Sequence, residues 1–112
     1  MFNFGGLAAN AVLSQTVATT AGVRYRLRFD YAVQGSIAGE TQSVRVQALN
    51  GAASLLDQTL THGSFNPCRW KAFTYEFVAT GPTTTVRFTD LGPGNNSEGL
   101  LDSVTLAPVT YD

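Results

Sequence analysis

The sequence has very few of the residues on which catalytic and metal sites depend. Its 112 residues include one cysteine and one histidine. A lone Cys68 excludes an internal disulfide, and a zinc site needs several His, Cys or acidic ligands. A nucleophile–base pair would have to be centred on His62, with no Asn or Asp placed to orient it. We therefore expect no enzymatic activity and no required cofactor.

Charge is also scarce, at 13% of residues, and the formal net charge is −1. A near-neutral chain has no field that would attract DNA, RNA or an anionic membrane surface. No stretch approaches the roughly 20 apolar residues that cross a bilayer. We expect neither a nucleic-acid partner nor membrane insertion. The hydrophobic share of 44% is nevertheless enough for a packed core, and the length predicts a single domain over 1–112.

Alternation of apolar and polar residues is what the chain has in abundance. The segment 23–31 reads VRYRLRFDY, which places three arginines on one side of a strand and large apolar residues on the other. Asn50-Gly51 predicts a hairpin. Strands are predicted over 11–19, 23–31, 43–49, 53–60, 69–80, 83–90 and 100–109, with polar loops at 34–42, 61–68 and 91–99. The pattern predicts an all-β antiparallel sandwich of about seven or eight strands.

Three motifs occur in an order that resembles a known group of domains. The first reads "SQTV…T…G…Y.L.F", the second is a Trp followed by "F.AT", and the third reads "G..LDSV". The matching residues are Ser14, Gln15, Thr16, Val17, Thr20, Gly22, Tyr25, Leu27, Phe29, Trp70, Phe77, Ala79, Thr80, Gly99, Leu101, Asp102, Ser103 and Val104. This order resembles the galactose-binding-like jelly rolls, in particular choice-of-anchor C domains and related carbohydrate-binding modules.

The resemblance implies a jelly roll that acts outside the cell or at its surface as a non-catalytic module for carbohydrate binding or adhesion. Such domains usually begin with a further strand, which we expect this chain to lack. In many of them that strand supplies ligands to a structural calcium near a late aspartate, here Asp102. We expect the resulting exposed edge to pair with an identical copy or a neighbouring domain, because unpaired edges are normally protected.

Two groups of residues are candidates for contacting a polysaccharide or glycan. Guanidinium and amide groups hydrogen-bond to hydroxyls, and we expect one sheet face to carry Arg26, Arg28, Arg45 and Gln47. Aromatic rings stack on the CH faces of sugars, which favours a loop cluster of Tyr31, Phe65 and Asn95. The alternative for the arginines is pairing with acids such as Glu76. Trp70 is interpreted as a core residue.

Oxygen ligands for a hard cation gather in one late segment. Asp90, Glu98 and Asp102 are the candidates for a metal site, although their spacing matches no calcium loop and turn formation explains the segment equally well. Two other interpretations of the whole chain stay open. It is a structural subunit of a surface filament, surface layer or virion, completed by strand pairing between chains, or the targeting domain of a larger extracellular enzyme.

Overall fold

The computed structural model describes residues 1–4, 11–35, 39–65, 69–93 and 97–110. These residues form eight β-strands: β1 (Phe2–Asn3), β2 (Val12–Ala18), β3 (Arg24–Gly35), β4 (Thr41–Asn50), β5 (Ala53–Phe65), β6 (Lys71–Val78), β7 (Thr83–Gly92) and β8 (Ser97–Pro108). The predicted all-β jelly-roll sandwich is confirmed. Within the described ranges no helix is long and apolar enough to cross a membrane.

The strands form two four-stranded layers. Sheet A has the order β1–β8–β3–β6, and sheet B has the order β2–β7–β4–β5. Neighbours within each layer run antiparallel. The end of β5 crosses to sheet A, where Val33 pairs with Ser64 and Gln34 with Phe65 in parallel. The two sheets are therefore joined by backbone pairing at one corner.

The core lies between the sheets and follows the alternation of the sequence. On β3, Tyr25, Leu27, Phe29 and Tyr31 are buried, whereas the arginines between them are exposed. Residues of sheet B with the same alternation, among them Val44, Val46 and Phe88, join the same buried cluster. Aromatic rings from the two layers pack against each other: Phe29 of sheet A meets Phe88 of sheet B edge-on at a centroid distance of 5.1 Å.

The strands are longer than the sequence pattern predicted. β3 extends to Gly35, β5 to Phe65, and β8 begins at Ser97, inside segments expected to be loops. Backbone pairing at the corner holds these polar ends in strands, and pairing between distant segments leaves no local signal in composition. The Asn50-Gly51 hairpin is confirmed, with Asn50 opposite Ala53 and Gly51 at φ 56°.

Candidate functional site

The outer face of sheet A carries the arginines of β3. Arg26 donates from Nη2 to Glu76 Oε2 on β6 at 3.0 Å, and Arg24 Nη1 lies 3.9 Å from the other oxygen of the same carboxylate. Arg26 and Glu76 are directly opposite each other in the register. The alternative that these arginines pair with acids such as Glu76 is therefore confirmed for Arg24 and Arg26.

Arg28 is held differently. Its Nη2 lies 3.2 Å from Asp30 Oδ1, two residues further along the same strand. The opposite positions on β6 are Thr74 and Ala72. The pair thus places guanidinium donors and a carboxylate acceptor side by side, next to a small side chain that leaves the surface open.

Trp70 is not a core residue, so that prediction is wrong. Its side chain is 42% exposed, immediately before β6 begins. Lys71 places its Nζ 5.3 Å from the ring centroid of Phe73, which packs against Phe29 on the inner side. Continued back by one residue from β6, the same alternation places Trp70 on the outer side, the side of Ala72. The flanking charges of Arg69 and Lys71 were the sequence signal for an exposed strand end.

Tyr31 is fully buried, so the prediction that it forms a surface platform is wrong. Its hydroxyl has no hydrogen-bond partner in the described part of the chain. Burial, with a smaller contribution from the charge of Asp90, raises the pKa of Tyr31. The ring reaches Gly99, where a Cβ would collide with the hydroxyl. A tyrosine therefore stands at a position of β3 where the alternation calls for an apolar, inward-facing residue.

Arg45 and Gln47 belong to sheet B, so the expectation that they extend the face of Arg26 and Arg28 is wrong. β4 pairs with β5 and β7, and its outward residues lie on the opposite surface of the sandwich. Local alternation assigns a residue to the outside of a strand, but it does not say to which sheet the strand belongs.

The arginine of this second face is also paired. Arg45 binds Asp57 in a bidentate manner, with Nε–Oδ1 at 2.9 Å and Nη2–Oδ2 at 2.6 Å. The hydrogen bonds raise the pKa of Arg45 and lower the pKa of Asp57. Gln47 is buried beside this pair.

Hydroxyl groups dominate the remainder of this face. Thr16 and Thr85 are joined at 2.8 Å, and Ser43 and Thr61 at 2.7 Å. The described residues of this face, which include no aromatic side chain, present hydroxyl, amide and charged groups. Among the residues whose side chains the structure describes, this face can hydrogen-bond to a sugar but offers no ring on which the sugar could stack.

The described residues include two members of the predicted loop cluster, Tyr31 and Phe65. The backbone of Phe65 lies beside Gln34 at the corner of the two sheets. Asn95 falls outside the described residues. The proposed grouping of Tyr31, Phe65 and Asn95 loses Tyr31 as a surface group, because its ring is in the core.

The three acidic metal candidates each have a different partner. Asp90 accepts a hydrogen bond from the Gly92 amide at 3.0 Å, Glu98 accepts one from Asn3 at 2.9 Å, and Asp102 accepts one from the Ser103 amide at 2.8 Å. Asp90 is on sheet B and the other two are on sheet A. In the described ranges, no three His, Cys, Asp or Glu residues come together as metal ligands.

His62, on which a nucleophile–base pair would be centred, is close to a backbone carbonyl. His62 Nε2 is 3.2 Å from the carbonyl oxygen of Arg69, and Cys68 falls outside the described residues. Glu76 is occupied by Arg24 and Arg26, and Glu98 lies near the opposite end of the sheet, beside Gln34.

An apolar groove of about 350 Å³ runs between β2 and β8. Its walls are mainly aliphatic and aromatic, with only Ser14 and Gln15 as polar residues, and Val104 at its rim is 44% exposed. The lining residues are Leu13, Ser14, Gln15, Val17, Leu27, Val86, Phe88, Val104 and Leu106. Such a lining does not suit the hydroxyls of a sugar, because burying them without hydrogen-bond partners is costly.

The fold is similar to that of solved carbohydrate-binding modules. A structure described as "CBM4 structure and function" is 19% identical, with a TM-score of 0.66, over 88% of this chain and 61% of that chain. A second, "Family 16 Carbohydrate Binding Module-2", is 18% identical, with a TM-score of 0.48, over 90% of this chain and 73% of that one. This chain thus spans about three fifths of the first structure. No protein-family model and no curated protein matches the sequence.

Proposed function

We propose that this protein is a non-catalytic carbohydrate-binding module that acts outside the cell or at its surface. We further propose that the sugar lies on the outer face of sheet A, over Trp70 and beside the Arg28–Asp30 pair. One observation carries the assignment: a tryptophan that is 42% exposed comes two residues before Ala72, which lies opposite Asp30 of the preformed Arg28–Asp30 pair. The fold shared with a carbohydrate-binding module of family 4 supports the ligand class.

The chemistry of the two groups is complementary to a pyranose ring. The CH face of the sugar stacks on an indole, and the hydroxyls at its rim hydrogen-bond to planar polar groups. Arg28 and Asp30 already hold each other at 3.2 Å, so little side-chain entropy is lost when both bind the ligand. Ala72, opposite Asp30, leaves room for the ring.

Intrinsic fluorescence tests the proposal directly, because Trp70 is the only tryptophan of the chain. Titration with a panel of soluble polysaccharides should shift the emission of Trp70 to the blue for the bound polymer, since the sugar displaces water from the indole. Affinity electrophoresis in the same polymers should show retarded migration. The absence of both signals across neutral and acidic polysaccharides would contradict the proposal.

Variants locate the site. Trp70→Ala should weaken binding by about tenfold or more, on the scale of one aromatic stacking contact, and Arg28→Ala should weaken it by a smaller factor. Arg45→Ala is the matched control, because it removes an arginine of similar exposure, also paired with an aspartate, from the opposite face. Circular dichroism melts establish that each variant is folded. Binding that survives in Trp70→Ala but is lost in Arg45→Ala would move the site to sheet B.

A further inference from the structure

The edges of the sandwich differ in how well they are protected against pairing with another strand. β6 carries Lys71 and Glu76. The C-terminal half of β8, beyond its pairing with β1, has a bulge where Ser103 adopts φ 52°, and this half ends at Pro108. Charges, bulges and prolines are the usual devices that keep an edge from pairing. β2 has none of them: its sequence VLSQTVA is free of charge and proline, and its ladder with β7 is regular over all seven residues.

The free edge of β2, the edge that faces away from β7, presents a complete row of backbone hydrogen-bonding groups. Backbone bonds of 2.9 Å from Thr19 to Pro82 and from Asp90 to Ala11 fix the phase of the β2–β7 ladder. Odd-numbered residues of β2 therefore bond to β7, and even-numbered residues turn their N–H and C=O groups away from the sheet. The outward residues are Val12, Ser14, Thr16 and Ala18. In the described part of the chain, no strand pairs with this side.

Apolar side chains accompany this free edge. Leu13 and Val17 lie on the inner side of β2 and line the groove of about 350 Å³ toward β8. Val12 is 55% exposed at the same edge. An added strand would gain backbone hydrogen bonds at β2 and would bring its own side chains to the mouth of the groove.

We propose that β2 is an interface for a second copy of this chain, in which two β2 strands pair antiparallel and sheet B continues across both molecules. A two-fold axis at Gln15 places Ser14 opposite Thr16 of the second copy, and Val12 opposite Ala18 of the second copy. Every outward residue then meets an outward residue. This self-complementarity is what an isologous interface requires.

The side chains fit the same register. On the inner side, Gln15 meets Gln15 of the second copy at the axis, where the two amides can hydrogen-bond to each other, and Leu13 lies opposite Val17 of the second copy on either side of them. Ser14 and Thr16 bring only small hydroxyls together on the outer side. No like charges oppose each other, because the strand has none. A foreign strand could match the backbone groups, but its side chains would not be matched by this symmetry.

The oligomeric state tests the interface. Light scattering coupled to size-exclusion chromatography should give twice the mass of the chain at high concentration and dissociation on dilution. Thr16→Pro removes one outward amide per copy while leaving the bonds to β7 intact, and it should weaken association by about tenfold or more. Thr85→Ala is the matched control, because it removes the same Thr16–Thr85 hydroxyl contact without changing the edge. A dimer that persists unchanged in Thr16→Pro overturns the proposal.

A cross-link tests the register. In a Cys68→Ser background, Gln15→Cys places two cysteines at the axis, in a non-hydrogen-bonded pair where opposite Cα atoms are about 4.5 Å apart. Mild oxidation should convert it to a disulfide-linked dimer faster than Thr59→Cys, an exposed control on β5. Equal rates, a wild-type monomer at every concentration, or pairing with a strand of a different protein instead would each overturn the proposal.

The dimer stands independently of the sugar site. β2 is an edge of sheet B, whereas Trp70 and the Arg28–Asp30 pair belong to the outer side of sheet A. Thr16→Pro should therefore leave the fluorescence shift of Trp70 intact, and Trp70→Ala should leave the mass unchanged. A dimer would offer two sites to one polymer and bind it more tightly than either site alone.

Discussion

The two faces of β3 alternate residue by residue but are stabilised in different ways. The inner face consists of Tyr25, Leu27, Phe29 and Tyr31, which are buried between the sheets. The outer face consists of arginines that remain exposed and are neutralised by Glu76 and Asp30. The inner face owes its stability to removal from water, whereas exposed ion pairs contribute about 0–1 kcal/mol each. The difference indicates that the inner face maintains the fold, whereas the outer face contributes little to stability.

The largest expected effect lies on the inner face. Leu27→Ala removes a fully buried side chain from the centre of the main cluster. It should lower the free energy of unfolding by about 2–5 kcal/mol, because the lost transfer energy adds to a cavity. Urea denaturation measures the change. A loss as small as that of an outer arginine would remove the contrast between the two faces.

Gly99→Ala should have the next largest effect. The new Cβ would collide with the hydroxyl of Tyr31, and overpacking a core typically costs about 1–3 kcal/mol. Tyr31→Phe in the same chain should restore part of the loss, since the atom in collision is removed. Thermal melts of the two single variants and the double variant give the coupling. Strict additivity would show that the hydroxyl is not the source of the strain.

Tyr31→Phe alone tests the hydroxyl of the inner face that, unlike that of Tyr25, has no hydrogen-bond partner among the described residues. A buried hydroxyl without a partner costs about 1–3 kcal/mol, so the variant should be more stable than wild type at neutral pH by about 1 kcal/mol.

The same variant has a pH signature. Burial raises the pKa of Tyr31, so the folded state holds the phenol proton more tightly than the unfolded state, whose tyrosine has a pKa of about 10. The contribution is complete below that value and is lost as pH rises through the folded pKa. The free energy of unfolding, measured by denaturation across the alkaline range, should fall more steeply with rising pH for wild type than for Tyr31→Phe. Parallel curves would contradict the burial of this group.

The smallest effect belongs to the outer face. Arg26→Ala breaks an exposed pair with Glu76, and Glu76 retains Arg24 as a neighbour. The free energy of unfolding should change by about 0–1 kcal/mol, and less at high salt. Asp57→Asn gives the counterpart on sheet B, where the lowered pKa of Asp57 predicts a small contribution that is lost as pH falls through the folded value. A loss comparable with Leu27→Ala would show that the outer ladder also maintains the fold.

The site predictions for Trp70 and Tyr31 were wrong for different reasons. Trp70 and Tyr31 exchanged their expected roles, the first being exposed and the second buried. Tyr31 occupies an inward position in the long apolar–polar alternation of β3, which is visible in the sequence. The prediction of a surface platform relied on its aromatic ring and its place near a strand end rather than on that inward position. Trp70 lies between Arg69 and Lys71, just before β6, and these flanking charges were given less weight than the match to a family position that is often buried.

The sequence by itself determined the approximate positions of β2 to β8, most of their inward and outward residues and the Asn50-Gly51 hairpin, because side-chain alternation and turn chemistry are local properties. Only the tertiary structure decided which strands became neighbours. It separated Arg45 and Gln47 from Arg26 and Arg28, set Ala72 opposite Asp30, and left β2 as an unprotected edge. The physical reason is that strand pairing joins residues far apart in the chain through backbone groups that every residue carries, so the choice of partner leaves little trace in any single segment.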